Sequence, residues 1–170
     1  GDMNTMDEEV KWLSNQIFQA SQEVEGDGIS MCAAGTSRYA PSENAINSAK
    51  VVIAQMQGLK ALIADNDDLF ETHMKEAVAL EDQTNYPTGP PRITKPSFEQ
   101  YGEWLLTKDK PALALEQFEK ALERMPRRSK SLTGKVTALK ALDRADEAEM
   151  VQNELNSILS QADKKALSAS

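Results

Sequence analysis

Cysteine, histidine and aromatic residues are scarce in this chain. Its 170 residues include one Cys and one His, and only 5% of them are aromatic. A single cysteine excludes an internal disulfide and a zinc site built from several cysteines. The low aromatic content also argues against a protein that recognises nucleic acid by stacking on its bases.

Long apolar runs and a positive net charge are absent as well. No stretch reaches the roughly 18 uncharged apolar residues that a membrane-spanning helix needs. The formal net charge is −8, which disfavours broad binding to nucleic-acid phosphates or to anionic membranes. The polar, acidic start of the chain is unlike a signal peptide. We therefore expect a soluble protein, either cytoplasmic or exported. Because Gly1 is not an initiator methionine, we also expect a piece of a longer protein.

The chain is rich in helical periodicity interrupted by short breaks. Apolar residues recur every three to four positions, and no segment alternates as a half-buried strand does. Ser42 and Asp68 are the predicted N-caps of the second and third helices, and Pro111 suits the first turn of the fifth. The sequence predicts an all-α fold with helices at 6–24, 43–63, 69–82, 98–108, 111–124, 129–142 and 144–161.

Two stretches without helical periodicity organise these helices. Residues 26–41 are small and polar and end in Pro41, which predicts a loop or linker. Residues 86–91 contain three prolines and a glycine, which exclude a helix there. We predict three regions: an N-terminal helix with its linker (1–41), a helical domain (42–163) with a Pro-rich insert at 83–96, and a tail (164–170).

Large and small residues follow a fixed order on two of the predicted helices. The small residues Gly102 and Ala114 allow two antiparallel helices to approach, and large residues of the partner helix fill the space. Ala121 leaves room for the next helix pair. The order resembles the tetratricopeptide repeat (TPR), a helix–turn–helix unit of about 34 residues. Its positions in this chain are Phe98, Tyr101, Gly102, Leu105, Ala114, Phe118, Ala121 and Pro126.

The same order recurs on both sides of this unit. A shift of 34 residues forward gives apolar residues at most positions but Val136 at the glycine and Gln152 at the second aromatic. A backward shift that also spans the ten residues Gln83–Arg92 gives Gly58 at the glycine. Terminal repeats of such arrays are usually atypical. The resemblance implies a right-handed α-solenoid of about three hairpins with an extra N-terminal helix. The matching residues are Ala54, Gly58, Ala61, Met74, Ala77, Leu132, Leu139, Ala148 and Leu155.

A closer resemblance covers roughly residues 45–163. The segments Ala77–Thr84, Pro87–Pro90 and Tyr101–Leu106 are similar to the C-terminal part of long bacterial TPR proteins of undefined biochemical function. Tyr101 replaces the leucine that is usual in that group. The resemblance implies one end of a longer solenoid, in proteins that often enter the export pathway, and it supplies no catalytic motif.

The candidate chemical groups are few. His73 lies within a predicted helix, and Cys32 lies in a loop with no feature that would lower its pKa. The acidic run 65–68 resembles the start of a calcium loop, but Leu69 and Phe70 stand where a ligand and a glycine are needed. From Arg124 to Leu142 every charged residue is basic. Such a run could bind phosphate or an acidic peptide, but we favour a solvated turn between repeats because no aromatic residues are interleaved. We predict no catalytic site, no metal and no cofactor.

The first helix of each TPR hairpin lines the concave face of the array, which usually takes a peptide. Acids at Glu99 and Glu103 stand where a clamp for a C-terminal carboxylate would need Lys and Asn, and their spacing predicts a solvated or peptide-facing surface. Leu59, Leu62 and Ile63 make the early groove apolar, whether helix 6–24 covers it or leaves it open. The predicted peptide-binding residues are Gln55, Leu59, Glu99, Glu103, Thr133, Thr137 and Lys140.

The sequence therefore predicts a non-enzymatic protein–protein interaction module, a scaffold that binds a peptide or protein segment. Neither nucleic acid nor membrane insertion is expected. Two alternatives remain open at this stage: a docking or accessory domain of a larger enzyme, and a homo-oligomeric structural unit whose groove is filled by a neighbouring copy.

Overall fold

A computed structural model of the chain describes residues 3–25, 41–86 and 95–160. Within these ranges α-helix is the only regular secondary structure. The predicted all-α class is confirmed. The helices are α1 (Met3–Glu25), α2 (Glu43–Ile63), α3 (Asp67–Asp82), α4 (Ser97–Thr107), α5 (Pro111–Arg124), α6 (Ser129–Ala141) and α7 (Ala145–Leu159).

Local capping sets several of these boundaries. The Ser42 side chain caps α2 as predicted, accepting a hydrogen bond of 3.2 Å from the Ala45 backbone N–H, and Pro111 occupies the first turn of α5. The predicted cap of α3 is wrong. Asn66, not Asp68, accepts the Leu69 N–H at 3.0 Å, so α3 begins at Asp67. Asp67 and Asp68 then lie in the first turn, where their charges suit the positive end of the helix dipole.

The chain divides into two compact units, Gly1–Asn85 and Tyr86–Ser170. In the first unit α2 packs against α3, and α1 packs against α2. Asp7 near the start of α1 forms an ion pair with Lys60 near the end of α2, as in an antiparallel pair. The most buried apolar residues of the first unit lie on α2 and α3: Ala54, Ala61, Phe70, Met74 and Ala77.

In the second unit α4 pairs with α5 and α6 pairs with α7, while α6 also contacts both α5 and α4. Its core contains the residues that the sequence places at repeat positions. They are Phe98, Tyr101, Leu105, Ala114, Phe118, Ala121, Leu132, Val136, Leu139, Ala148 and Leu155, each no more than 5% exposed. Gln152, at the second aromatic position of the last repeat, is only partly buried.

Several predictions fall on other parts of the chain. Outside the described residues lie positions 26–40 of the linker predicted at 26–41, the prolines within 87–94 and the predicted tail 164–170. The predicted regions 1–41, 42–163 and 164–170 stay predictions. Among the described helices, none is long and apolar enough to cross a membrane.

Candidate functional site

The three helix pairs α2–α3, α4–α5 and α6–α7 close with the same turn. In each turn an aspartate has a positive φ, between 53° and 57°. The backbone N–H of the next residue donates to a carbonyl five residues earlier, with N···O distances of 2.9–3.0 Å. This geometry satisfies carbonyls left open at the helix end, and aspartate tolerates it better than most residues. The aspartates are Asp65, Asp109 and Asp143, separated by 44 and 34 residues.

The ring of Phe118 on α5 fills space left by two glycines. Phe118 is fully buried. A Cβ added to Gly102 on α4 would lie 3.0 Å from this ring, and one added to Gly134 on α6 would overlap it. The close approach at Gly102 was predicted. Gly134 was missed because it lies two positions before the repeat glycine position, at Val136.

An ion pair between a buried carboxylate and a partly exposed arginine joins α4 to the start of α6. Arg128 donates to the Glu99 carboxylate from Nε at 2.6 Å and from Nη2 at 3.0 Å, and Ser131 Oγ donates at 2.7 Å. Glu99 and Ser131 are fully buried. The predicted exposure of Glu99 is therefore wrong, because its carboxylate faces these two donors at the start of α6 instead of solvent. Arg128 belongs to the basic run 124–142, and its guanidinium is paired with the Glu99 carboxylate.

The balance of forces on this carboxylate keeps it charged. Burial raises the pKa of Glu99, but hydrogen bonds from Arg128 and Ser131 and the positive charge of Arg128 outweigh it, so the net effect lowers the pKa. The hydrogen bond to Glu99 in turn raises the pKa of Arg128. With its pKa lowered, the Glu99 carboxylate is charged at neutral pH, and its ion pair with Arg128 links α4 to the start of α6.

The remaining predicted binding residues divide between the two units. In the first unit Gln55 is buried, while Leu59 is 40% exposed. In the second unit four predicted residues are exposed, and we call them the first-helix face: Glu103, Thr133, Thr137 and Lys140. The structure places them on two helices that contact each other, α4 and α6.

The first-helix face is polar and varied in charge. Glu103 forms an ion pair with Lys95. Thr133 and Thr137 follow one another on successive turns of α6, and their hydroxyls donate to the carbonyls of Ser129 and Thr133 at 2.9 and 3.0 Å. Both threonine side chains and the Lys140 side chain are exposed. The surface can therefore offer both apolar contact and a positive charge.

The sequence assigns three apolar side chains of α2 to a predicted groove that α1 could cover or leave open. Although α1 packs on α2, Leu59, Leu62 and Ile63 remain 40%, 39% and 59% exposed. These three side chains are therefore not buried by α1.

The structure shows the surroundings of the candidate chemical groups that lie within the described residues. His73 Nδ1 lies 3.7 Å from the carboxylate of Glu76 on its own helix. Asp65 and Asn66 form the turn and cap described above. Among residues 3–25, 41–86 and 95–160, no group of three or more His, Cys, Asp or Glu side chains could hold a metal ion. Cys32 lies outside these ranges.

Comparisons of the chain with known family models, with curated proteins and with solved structures return no match. The resemblance to the TPR unit therefore stands on the residue order and its physical reading.

Proposed function

We propose that this chain is a protein-interaction module of TPR-like helix hairpins, and that the first-helix face binds a peptide or protein segment. The observation that carries the proposal is the turn shared by the three helix pairs at Asp65, Asp109 and Asp143. A turn repeated with one geometry is what an array of equivalent hairpins requires.

The packing beneath the face supports the same function. Phe118 and the Glu99–Arg128 ion pair both connect the first hairpin of the second unit to α6. A surface held in place before binding loses less conformational entropy when a partner docks. Thr133, Thr137 and Lys140 are exposed at helical spacing on α6, a row of side chains that could contact an extended or helical segment.

A peptide array tests the proposal. The wild-type chain and two double variants are screened, and each hit is measured by fluorescence anisotropy. Thr133→Arg with Thr137→Arg places two bulky cations on the first-helix face. The matched control, Asn153→Arg with Ser157→Arg, adds the same charge at the same spacing on the exposed side of α7.

We expect peptides that bind the wild type and the control alike but lose about tenfold or more in affinity, or about 1.4 kcal/mol, with the α6 variant. Circular dichroism of all three proteins should be the same. Peptides that bind both variants equally, or an array without hits, would contradict binding at this face.

A further inference from the structure

Helix α1 is held to the first unit less completely than any neighbouring helix. Its apolar stripe recurs at helical spacing, but no described side chain of α1 is fully buried; each residue of the stripe is only partly covered. By contrast, α2 and α3 each contain fully buried residues. The partly buried stripe of α1 is Met3, Met6, Val10, Leu13, Ile17 and Ala20.

The surface of α2 beneath α1 has a defined chemistry. Lys60 identifies it, because its ammonium pairs with Asp7 of α1. Ala49, Ile53 and Met56 share this side of α2 by helical spacing, and all three are partly buried. The surface, which we call the α2 face, is thus an apolar stripe that ends in a lysine. It matches an amphipathic helix with an acid beside its apolar residues.

We propose that the α2 face is a second docking surface, which accepts an acidic amphipathic helix from a partner in competition with α1. The occupant seated there in this chain, α1, shows what chemistry the surface takes. A helix attached to the same chain competes at an effective concentration on the order of millimolar, so the attached helix masks the surface from weak partners. This inference concerns the first unit and does not depend on the first-helix face.

The experiment measures binding in trans of a fluorescein-labelled peptide with the sequence of residues 3–25. Its target is the full chain, either wild type or with Leu13→Asp and Ile17→Asp, which put charges into the stripe and displace α1. Because apparent affinity falls in proportion to the fraction of free surface, a face that α1 covers 90% of the time gives about tenfold tighter binding once α1 is displaced.

Two controls locate the interaction. Trp12→Asp with Phe18→Asp changes large α1 side chains that are 59% and 65% exposed, and should leave peptide binding as in the wild type. In the displaced chain, Lys60→Glu should weaken binding of the native peptide and favour a peptide with Asp7→Lys. If the peptide bound elsewhere, Lys60→Glu would not reverse the preference between the native peptide and the Asp7→Lys peptide.

Asp7→Lys in the full chain, which breaks only the ion pair, provides a milder displacement if the double variant does not fold. Equal binding to the wild type and to whichever displaced chain is folded would overturn the proposal. So would loss of the α2–α3 fold in both displaced variants, since α1 would then be an inseparable part of the core. Sedimentation of the wild type distinguishes exchange of α1 between two copies: a dimer that the peptide dissociates supports the proposal, and one that it leaves intact contradicts it.

Discussion

The ring of Phe118 lies so close to Gly134 that no side chain fits at that glycine. The contact joins α5 to α6, and so one helix hairpin of the second unit to the next. It places a fully buried aromatic ring directly against a helix backbone, where glycine is the only residue that leaves enough room.

Gly134→Ala should therefore lower the free energy of unfolding. Because the added Cβ would overlap the Phe118 ring, the cost of overpacking, about 1 to 3 kcal/mol, should outweigh the gain of up to about 1 kcal/mol that alanine brings to a helix interior. Gly58→Ala is the matched control, because its Cβ would meet Met74, His73 and Phe70 at ordinary contact distances of 3.4–3.6 Å. It should stabilise the chain. Urea unfolding measures both, and a stabilised Gly134→Ala would contradict the packing described.

The Glu99–Arg128 ion pair, whose carboxylate is buried, should contribute far more to stability than an exposed pair of the same geometry. Arg128→Ala leaves the Glu99 carboxylate buried without its cation, at a cost of about 3 to 5 kcal/mol. Arg144→Ala removes an equally bidentate arginine from Glu147, but both partners are exposed, and it should change stability little. Thermal and urea unfolding of the two variants test the contrast, which similar losses would rule out.

The pH dependence of stability should report the same carboxylate. In the wild type the pKa of Glu99 is lowered by folding. The contribution of Glu99 to the free energy of unfolding is therefore complete above its pKa in the unfolded chain, about 4.3. It is lost as the pH falls through the lower pKa of the folded state. In Arg128→Ala, burial acts without the cation and should raise the folded pKa.

In Arg128→Ala the buried, unpaired charge of Glu99 lowers the free energy of unfolding. This loss is complete above the raised pKa of Glu99 and shrinks as the pH falls through that pKa. The difference in unfolding free energy between wild type and Arg128→Ala should narrow from pH 7 to pH 3. Urea unfolding across this range measures it, and a constant difference would show that Glu99 does not carry the effect.

How much of this could be read from the sequence depends on the range of each interaction. Helix periodicity, the Ser42 cap and Pro111 are local signals, and they predict the helices to within a few residues. The burial of Glu99 could not be predicted in that way, because its partner Arg128 lies 29 residues away and both look like ordinary surface charges. The Gly134 contact was missed because repeat spacing marks Val136 instead.

The stability of the chain should depend on the shape of the side chain that replaces an aspartate in the shared turns. Valine at Asp109 or Asp143 must adopt a left-handed conformation that costs roughly 1 to 2 kcal/mol. Asparagine adopts this region at least as readily as aspartate and should be close to neutral. Thermal unfolding of the valine and asparagine variants compares them at each turn; equal stability of the two would argue against the positive φ.

The two tryptophans give one probe for each unit. Trp12 is 59% exposed on α1, whereas Trp104 is 7% exposed on α4. Trp12→Phe leaves the buried indole, whose emission should be blue-shifted and weakly quenched by acrylamide. Trp104→Phe leaves the exposed indole, which should be quenched several times more strongly. Similar quenching in both variants would contradict the placement of these side chains.

The packing of one helix hairpin on the next in the second unit is tested most directly by NMR of the isotope-labelled chain. We expect NOEs from the Phe118 ring protons to the Hα protons of both Gly102 and Gly134, together with ring-current shifts of the Gly134 Hα resonances away from their random-coil position. A Phe118 ring with NOEs to neither glycine, and Gly134 Hα resonances at random-coil values, would contradict the stacking and remove the basis for an interaction face on α4 and α6.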